Sequence, residues 1–245
     1  MGVALSMSGL GDIWEDIVES IEDLIVSGCY ERVNNFMSLL QAGKLRRLAA
    51  SMACRRGFAL DLGAGPGYTS LEYCKSCSGP ILLLDASTEN LYRAKAILEK
   101  ACPDAAVEVV SVFEALPLRD CSVSSIIATF SLRDAVDRDK AIEEAARVLA
   151  GDGRLVVLDI YRPSAKLATA ALLSYFALMP LLGAILTGCP RHALDYVGLQ
   201  KTLRRMDTVE GMALRMAKYF SFVRSLKIMP GTALWIAERP RGGCR

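Results

Sequence analysis

The chain is short of several residue types, and each shortage closes off a class of function. Among 245 residues there is one histidine, His192. A zinc site needs a second cysteine pair or histidines at matching spacing beside Cys74-Lys-Ser-Cys77, so zinc is excluded as an expectation. Neither sign of charge is in large excess: 29 basic against 27 acidic residues leave a formal charge of +2. Without a global basic field, or helical stripes mixing Lys/Arg with aromatics, nucleic acid is not an expected partner. No basic stretch followed by an apolar core opens the chain, so no signal peptide is read there. No repeat and no linker composition interrupts it. Asparagine (34, 35, 90) and glutamine (41, 200) are scarce, as in heat-adapted proteins. Nine methionines and eight cysteines argue the other way. The scattered cysteines read as buried small apolar thiols, with a disulfide as the alternative in a heat-adapted cell.

What is present is a globular composition, 52% hydrophobic and 23% charged. Within it the run Phe58-Ala-Leu-Asp-Leu-Gly-Ala-Gly-Pro-Gly67 carries the most information. A short apolar strand turns through Gly63, Gly65 and Gly67 into a helix. Glycines there supply positive φ and let a ligand approach the main chain, while the N–H groups at the helix start face it. The spacing G-x-G-x-G differs from the dinucleotide pattern G-x-G-x-x-G. Asp61, just before the first glycine, would repel a pyrophosphate and attract a cation. Asp85, at the end of the next strand, stands where an acid accepts hydrogen bonds from ribose hydroxyls. A ribose joined to a cationic amino acid describes S-adenosylmethionine.

Around this turn the pattern alternates. Strands are predicted at 58–62, 81–85, 107–111, 123–129 and 154–160, and helices at 67–76, 88–101 and 138–150, with Ser87 as an N-cap and Gly151 as a stop. Such alternation predicts a parallel sheet with helices on both faces. Ahead of it, 10–27 reads as an amphipathic helix and 31–53 as a second one. Residues 219–238 read as two antiparallel strands joined at Met229-Pro-Gly231. The segment 167–188 carries no charge over 22 residues. Formally it is long enough to span a bilayer. Its position between two strands of one sheet favours two short helices, broken near Pro180, over the ligand cleft. Their apolar excess fits a buried core, a lipid-binding wall or a surface dipping into a membrane interface.

From about residue 28 to 238 the chain resembles the ubiquinone/menaquinone-biosynthesis C-methyltransferases, which are class I S-adenosylmethionine-dependent enzymes. The resemblance rests on Tyr30-Glu-Arg-Val-Asn34-Asn-Phe-Met37, Asp61 to Gly67, Glu114-Ala-Leu-Pro117-Leu, Phe130-Ser-Leu-Arg133-Asp-Ala-Val-Asp137-Arg-Asp-Lys140-Ala, and Arg147-Val-Leu with Gly153-Arg-Leu-Val-Val-Leu-Asp159. It implies a Rossmann-like, mostly parallel seven-stranded sheet with an antiparallel C-terminal hairpin strand. It also implies one methyltransferase domain over 1–245: an N-terminal helical cap (1–53), a cofactor core (57–160), an apolar substrate cap (164–210) and a hairpin (219–238). The cofactor residues implied are Asp61, Gly63, Ala64, Gly65, Gly67, Asp85, Ala86, Phe113, Glu114 and Phe130. The acceptor, a prenylated quinol methylated on a ring carbon, would meet Tyr30, Asn34, His192 and Tyr196. Arg133 matches the family arginine implicated in forming the phenolate, where it would stabilise the developing oxyanion or orient a water that takes the proton; an ion pair with Asp134 or Asp137 is its alternative role.

Departures accompany the match. Asp134 stands where the family has asparagine, so it either takes a proton or neutralises Arg133. Val112 replaces the usual adenine-binding polar residue, which leaves adenine to backbone groups and stacking near Phe113. The family's "Y-L-x-E-S-I" survives only as Tyr196 and Val197. The alternatives therefore stay open: another small apolar acceptor, or a non-catalytic S-adenosylmethionine-binding partner. A homodimer, peripheral membrane contact through 167–188 and a cytoplasmic location on the membrane's inner face complete the expectations.

Overall fold

The computed structural model describes residues 27–77, 79–102, 106–192 and 205–242. Seven strands form one sheet: β1 (Ala59–Leu62), β2 (Ile81–Asp85), β3 (Ala106–Val110), β4 (Val123–Thr129), β5 (Leu149–Ile160), β6 (Phe220–Met229) and β7 (Thr232–Pro240). Their spatial order is β3-β2-β1-β4-β5-β7-β6. The first five run parallel, and β7 enters antiparallel between β5 and β6. The order reverses between β1 and β4. In such sheets a ligand crevice opens at that reversal, beyond the carboxyl ends of the strands.

The helices are α1 (Cys29–Met37), α2 (Ala42–Ala53), α3 (Tyr68–Ser76), α4 (Thr88–Leu98), α5 (Arg138–Val148), α6 (Lys166–Leu186) and α7 (Val209–Met216). Successive residues of a strand face opposite sides, and β5 shows the result. Leu155 and Val157 join a core with α5 and α7, which includes Ile142, Met212 and Trp235. Val156 and Leu158 join the opposite core with Leu45, Ala49 and Ala53 of α2. All four residues of β1 are buried, as a central strand covered on both faces requires. Local chemistry starts two of the helices, α4 at the expected Ser87 and α5 at Asp137. Ser87 Oγ accepts from Asn90 N–H (3.2 Å) and Asp137 Oδ1 from Lys140 N–H (3.0 Å).

Three sequence expectations are corrected. The helix predicted over 31–53 is two helices, because Leu39 and Leu40 take positive φ (51° and 61°) between them. A side chain in that region costs conformational energy, and both leucines are exposed, so no apolar periodicity in the sequence marks the break. The two short helices predicted over 167–188 are one, α6, which runs through Pro180. Proline removes a helical hydrogen bond and normally kinks or breaks the helix. Here Pro180, Gly183 and Ala184 are buried, and α1 packs along them. A Cβ on Gly183 would lie 2.8 Å from Phe36, and Tyr175 donates its hydroxyl to the Met37 carbonyl. Finally, the cysteines are bonded to one another. Cys29 pairs with Cys189, Cys54 with Cys77 and Cys74 with Cys102, and no described cysteine is a free thiol.

Smaller shifts concern ends. The helices predicted to 101 and 150 stop at Leu98 and Val148, and Gly151 lies within β5. The helix expected over 10–27 lies outside the described residues, apart from Ser27.

Candidate active site

The glycine turn leaves β1 at the order reversal. Gly63, Gly65 and Gly67 all have positive φ (76°, 52° and 81°), the region where glycine carries no steric penalty. They do different work. A Cβ at Gly63 would sit 2.5 Å from Ser131 Cβ and 2.9 Å from Phe113 Cζ. At Gly67 it would sit 2.9 Å from Ala94 Cβ. Those two glycines permit close packing. Gly65 has nothing within 4 Å of that position, so the turn is open to a ligand there.

Two acids bracket the opening. Asp85 Oδ2 accepts from Gly65 N–H (2.8 Å), and its Oδ1 accepts from Ser87 N–H (3.0 Å) and Asn90 Nδ2 (3.1 Å). The acid of β2 thereby holds the tip of the turn. Asp61 is fully buried; Ser70 Oγ donates to its Oδ2 (2.5 Å), while Oδ1 has no hydrogen-bond partner. Burial pushes its carboxyl up to about 7 against the Ser70 hydrogen bond, and Asp85 adds to the rise. A buried carboxylate with an orphaned oxygen is costly on its own and suits a cation.

The remaining predicted residues fall into three groups. Ala64 is buried, and Ala86 is exposed at the end of β2. Phe113 reaches Gly63 from the β3–β4 connection. Phe130 holds positive φ (56°) at the end of β4 and packs with Leu172 and Phe176 of α6 around Ile160. Glu114 Oε1 instead accepts from Asp137 N–H (3.0 Å), which places it against the start of α5. Tyr30 and Asn34, one turn apart on α1, are half-buried. His192 ends a 3₁₀ turn, Pro190–His192, and its side chain, like Tyr196, lies outside the described residues.

Arg133 lies in the 3₁₀ turn Leu132–Asp134 that follows β4. Its Nη1 meets Asp159 Oδ1 at 3.3 Å and its Nε lies 3.5 Å from Asp134 Oδ1. Side-chain exposures are 11% for Arg133, 28% for Asp134 and 0% for Asp159. Burial works against the Arg133 charge, but Asp134 and Asp159 outweigh it and hold the guanidinium protonated. Burial pushes Asp134 up to about 6; Arg133 pulls it down, and Asp159 and Asp85 push it up. The ion pair expected with Asp134 is therefore present. Asp137, the other expected partner, caps α5.

Sequence reasoning missed Asp159, Tyr68 and Arg46. Tyr68 opens α3 directly after Gly67, and the Arg46 guanidinium lies 5.1 Å from its ring centroid. Arg46 also pairs with Glu31 of α1 (2.7 Å), which ties the two N-terminal helices to the glycine-turn helix. An aromatic directly behind the third glycine was a readable signal for Tyr68. Nothing local marks Arg46 or Asp159.

The parallel sheet with its inserted antiparallel strand, and the glycine turn at the order reversal, define a class I S-adenosylmethionine-dependent methyltransferase. Solved enzymes of that description share the fold. One from Thermotoga maritima superposes with a TM-score of 0.58 at 15% identity, covering 93% of this chain and 99% of that one. One from Aquifex aeolicus gives 0.54 at 15%, covering 84% and 97%. The chain belongs to the ubiE/COQ5 methyltransferase family, whose model matches residues 12–224. Among its relatives is the ubiquinone/menaquinone biosynthesis C-methyltransferase UbiE of Acidiphilium cryptum (strain JF-5), 31% identical over 197 residues and 78% of each chain. The enzyme of the same name from Francisella tularensis subsp. tularensis (strain WY96-3418) is 29% identical over 200 residues, 78% of this chain and 79% of its own. The cofactor is S-adenosylmethionine, and the site fits it. The orphaned Asp61 oxygen suits the ammonium of the methionine moiety, and Gly65 leaves the turn open beside Asp85.

Proposed function

We propose that this protein C-methylates a prenylated quinol, of the demethylmenaquinol or ubiquinol-precursor type, at a ring carbon. The observation that carries the reading is Arg133. It is a largely buried cation in the turn that follows β4, and Phe130 just ahead of it packs with Leu172 and Phe176 of the apolar helix α6. The relatives' names, which state C-methylation in quinone biosynthesis, support it. Bound S-adenosylmethionine supplies an activated methyl group, so the protein's main task is alignment. Asp85 and the backbone around Gly65 would hold the ribose, Asp61 the ammonium, and Phe113 and Phe130 apolar faces of the cofactor. Glu114 would act at second hand, through the start of α5. A ring carbon is a poor nucleophile until a neighbouring hydroxyl loses its proton. Arg133 would stabilise the phenolate oxygen, and Asp134 would take the proton. Tyr30 and Asn34 on α1 would meet the ring; His192 and Tyr196 are the further contacts read from the sequence.

Calorimetric titration with S-adenosylhomocysteine, followed by assay on demethylated quinols, tests this. The wild-type protein should bind with micromolar affinity and methylate a quinol. Asp85→Ala should weaken binding roughly 10- to 100-fold, the cost of losing charged hydrogen bonds. Binding by neither protein would remove the enzyme reading. Binding without turnover of any quinol would leave another acceptor or a non-catalytic partner.

The acceptor's tail has a matching surface. Leu167, Leu178, Leu181, Leu182, Ile185 and Leu186 of α6 are exposed. Of its 21 residues only Pro180, Gly183 and Ala184 are buried. By length and composition it could cross a membrane, yet it is followed by α7 and the two strands that complete the sheet. No acid occurs between residues 160 and 192, and Arg162, Lys166 and Arg191 stand exposed at its ends. An apolar stripe with a basic rim suits the anionic interface of a membrane. We read the location as cytoplasmic and peripheral on the inner face. The protein should float with phosphatidylglycerol liposomes, and Leu182→Asp should weaken flotation several-fold. Failure of the wild type to float, together with a concentration-dependent dimer in sedimentation, would assign the stripe to a second copy.

A further inference from the structure

The cofactor carries a carboxylate as well as the ammonium given to Asp61, and both sit on one carbon. A subsite of opposite sign must therefore lie beside Asp61. Arg46 of α2 supplies that sign. Burial pushes the Asp61 carboxyl up, and the Ser70 hydrogen bond and the Arg46 charge draw it back. The Arg46 guanidinium also lies 5.1 Å from the ring centroid of Tyr68, and Tyr68 opens α3 directly after Gly67. One cation thus bears on the strand that carries Asp61 and on the helix that leaves the glycine turn.

Arg46 is anchored, and part of its donor set stays in hand. Its side chain is 8% exposed, an uncommon depth for an arginine. Nη1 donates to both oxygens of Glu31, at 2.7 and 3.0 Å, and Asn35 Nδ2 donates to the same carboxylate (3.4 Å). Among the described residues Nε and Nη2 make no hydrogen bond. A guanidinium has five N–H donors in a planar fork. Two serve Glu31. The other three lie along the Nε–Nη2 edge, which can take a carboxylate through two parallel bonds. With the cofactor's amino acid in place, the charges run Asp61, ammonium, carboxylate, Arg46, Glu31. Each then has a neighbour of opposite sign, as groups withdrawn from water require.

We propose that Arg46 binds the carboxylate of S-adenosylmethionine through its Nε–Nη2 edge, with Glu31 holding the guanidinium in place from α1. The proposal concerns the cofactor alone and stands whether or not the acceptor is a quinol. It makes Arg46 a specificity-determining residue. A nucleoside thioether that keeps the amine and lacks the carboxylate leaves the Nε–Nη2 edge unmatched, and a charged donor without its acceptor weakens binding. The arrangement also ties the cofactor to the cap. Tyr30 and Asn34 lie on the same helix as Glu31, so the guanidinium that meets the carboxylate is the one that α1 grips.

Calorimetry with two ligands reads this without any turnover. One ligand is S-adenosylhomocysteine. The other is its decarboxylated analogue, which keeps the adenosine, the thioether and the primary amine. The wild type should prefer S-adenosylhomocysteine roughly 10- to 100-fold, the worth of hydrogen bonds to a charged group. In Arg46→Gln the preference should shrink to about threefold or less, while the analogue binds nearly as it does to the wild type. Arg46→Lys keeps the charge beside Glu31 without the fork, so it should lose most of the preference and bind the analogue normally. That variant carries the comparison if Arg46→Gln does not fold. A wild type that binds both ligands alike, or a full preference kept in the Arg46 variants, would overturn the proposal. Equal loss of both ligands in a folded Arg46→Gln would overturn it too, leaving Arg46 as a tie between α1 and α2. Failure of the wild type to methylate any quinol, with the ligand preference behaving as described, would sink the proposed function and leave this subsite standing.

Discussion

Arg133→Ala lowers kcat for quinol methylation by roughly 10²–10³-fold, the usual worth of one charge-stabilising donor in a dry site. Binding of S-adenosylhomocysteine stays within a few-fold, because the hydrogen bonds that Arg133 makes run to Asp159 of β5. The size follows from the surroundings. The guanidinium is 11% exposed, so water does little to screen its pull on a phenolate. It is also fixed in place, so the site need not reorganise as charge develops. A second effect must be separated from the first. Removing the cation leaves Asp159, none of whose side chain is exposed, without the guanidinium it pairs with, which costs about 3–5 kcal/mol of stability when one partner of a buried pair is deleted. Arg133→Lys distinguishes the two. Lysine restores positive charge and most of the stability, but it lacks the planar fork that holds Asp159 while facing the acceptor. Thermal unfolding should then recover in Arg133→Lys while turnover stays low. Unchanged turnover in Arg133→Ala would remove Arg133 from the chemistry.

Reduction of the disulfides should produce the largest loss of stability. Cys29–Cys189 joins residues 160 apart in sequence, tying the start of α1 to the turn after α6. A loop of that length gives a chain-entropy stabilisation of about 5 kcal/mol. Cys54–Cys77 and Cys74–Cys102 close shorter spans of 23 and 28 residues, each contributing about 3–4 kcal/mol on the same scale. Loss of the long link alone should lower the unfolding midpoint by about 10–20 °C for a chain of this size. Unfolding followed with and without a phosphine reductant measures it, and Cys29→Ser with Cys189→Ser isolates the long link. Thiol titration of the unreduced, denatured protein should find few free thiols. Eight titratable thiols, with a midpoint indifferent to reductant, would contradict the pairing. The bonds also reverse one inference from composition. As free thiols, eight cysteines argued against heat adaptation; the described ones, bonded as disulfides, join the scarcity of asparagine and glutamine on the other side.

Asp61, the three glycines and Asp85 could be read without a structure because strand, turn and acid follow one another within 25 residues of chain. Their meaning depends on backbone angles and on strand ends, which are local properties. The seven-strand count and the inserted antiparallel strand were readable only with the family resemblance. Asp159 was quoted as part of a strand motif, and its role was not visible there. It meets Arg133 because β4 pairs with β5, Thr129 opposite Leu158, which brings residues 26 apart to hydrogen-bond distance. Arg46 reaches Tyr68 by the same kind of packing, across two helices.

The sequence alone determined the periodicities, the turn, the cofactor class and the position of the cationic residue. Each of these is set by neighbours along the chain or by a motif that stays contiguous. The tertiary structure decided that α6 continues through Pro180, since burial against Phe36 and the Tyr175–Met37 hydrogen bond act where proline removes one. It decided which cysteines pair, because pairing needs the Cα atoms close, as at 5.9 Å for Cys29 and Cys189. It also decided that two carboxylates share one guanidinium. Interactions of that kind depend on which strands lie side by side, and a linear pattern does not encode that adjacency residue by residue.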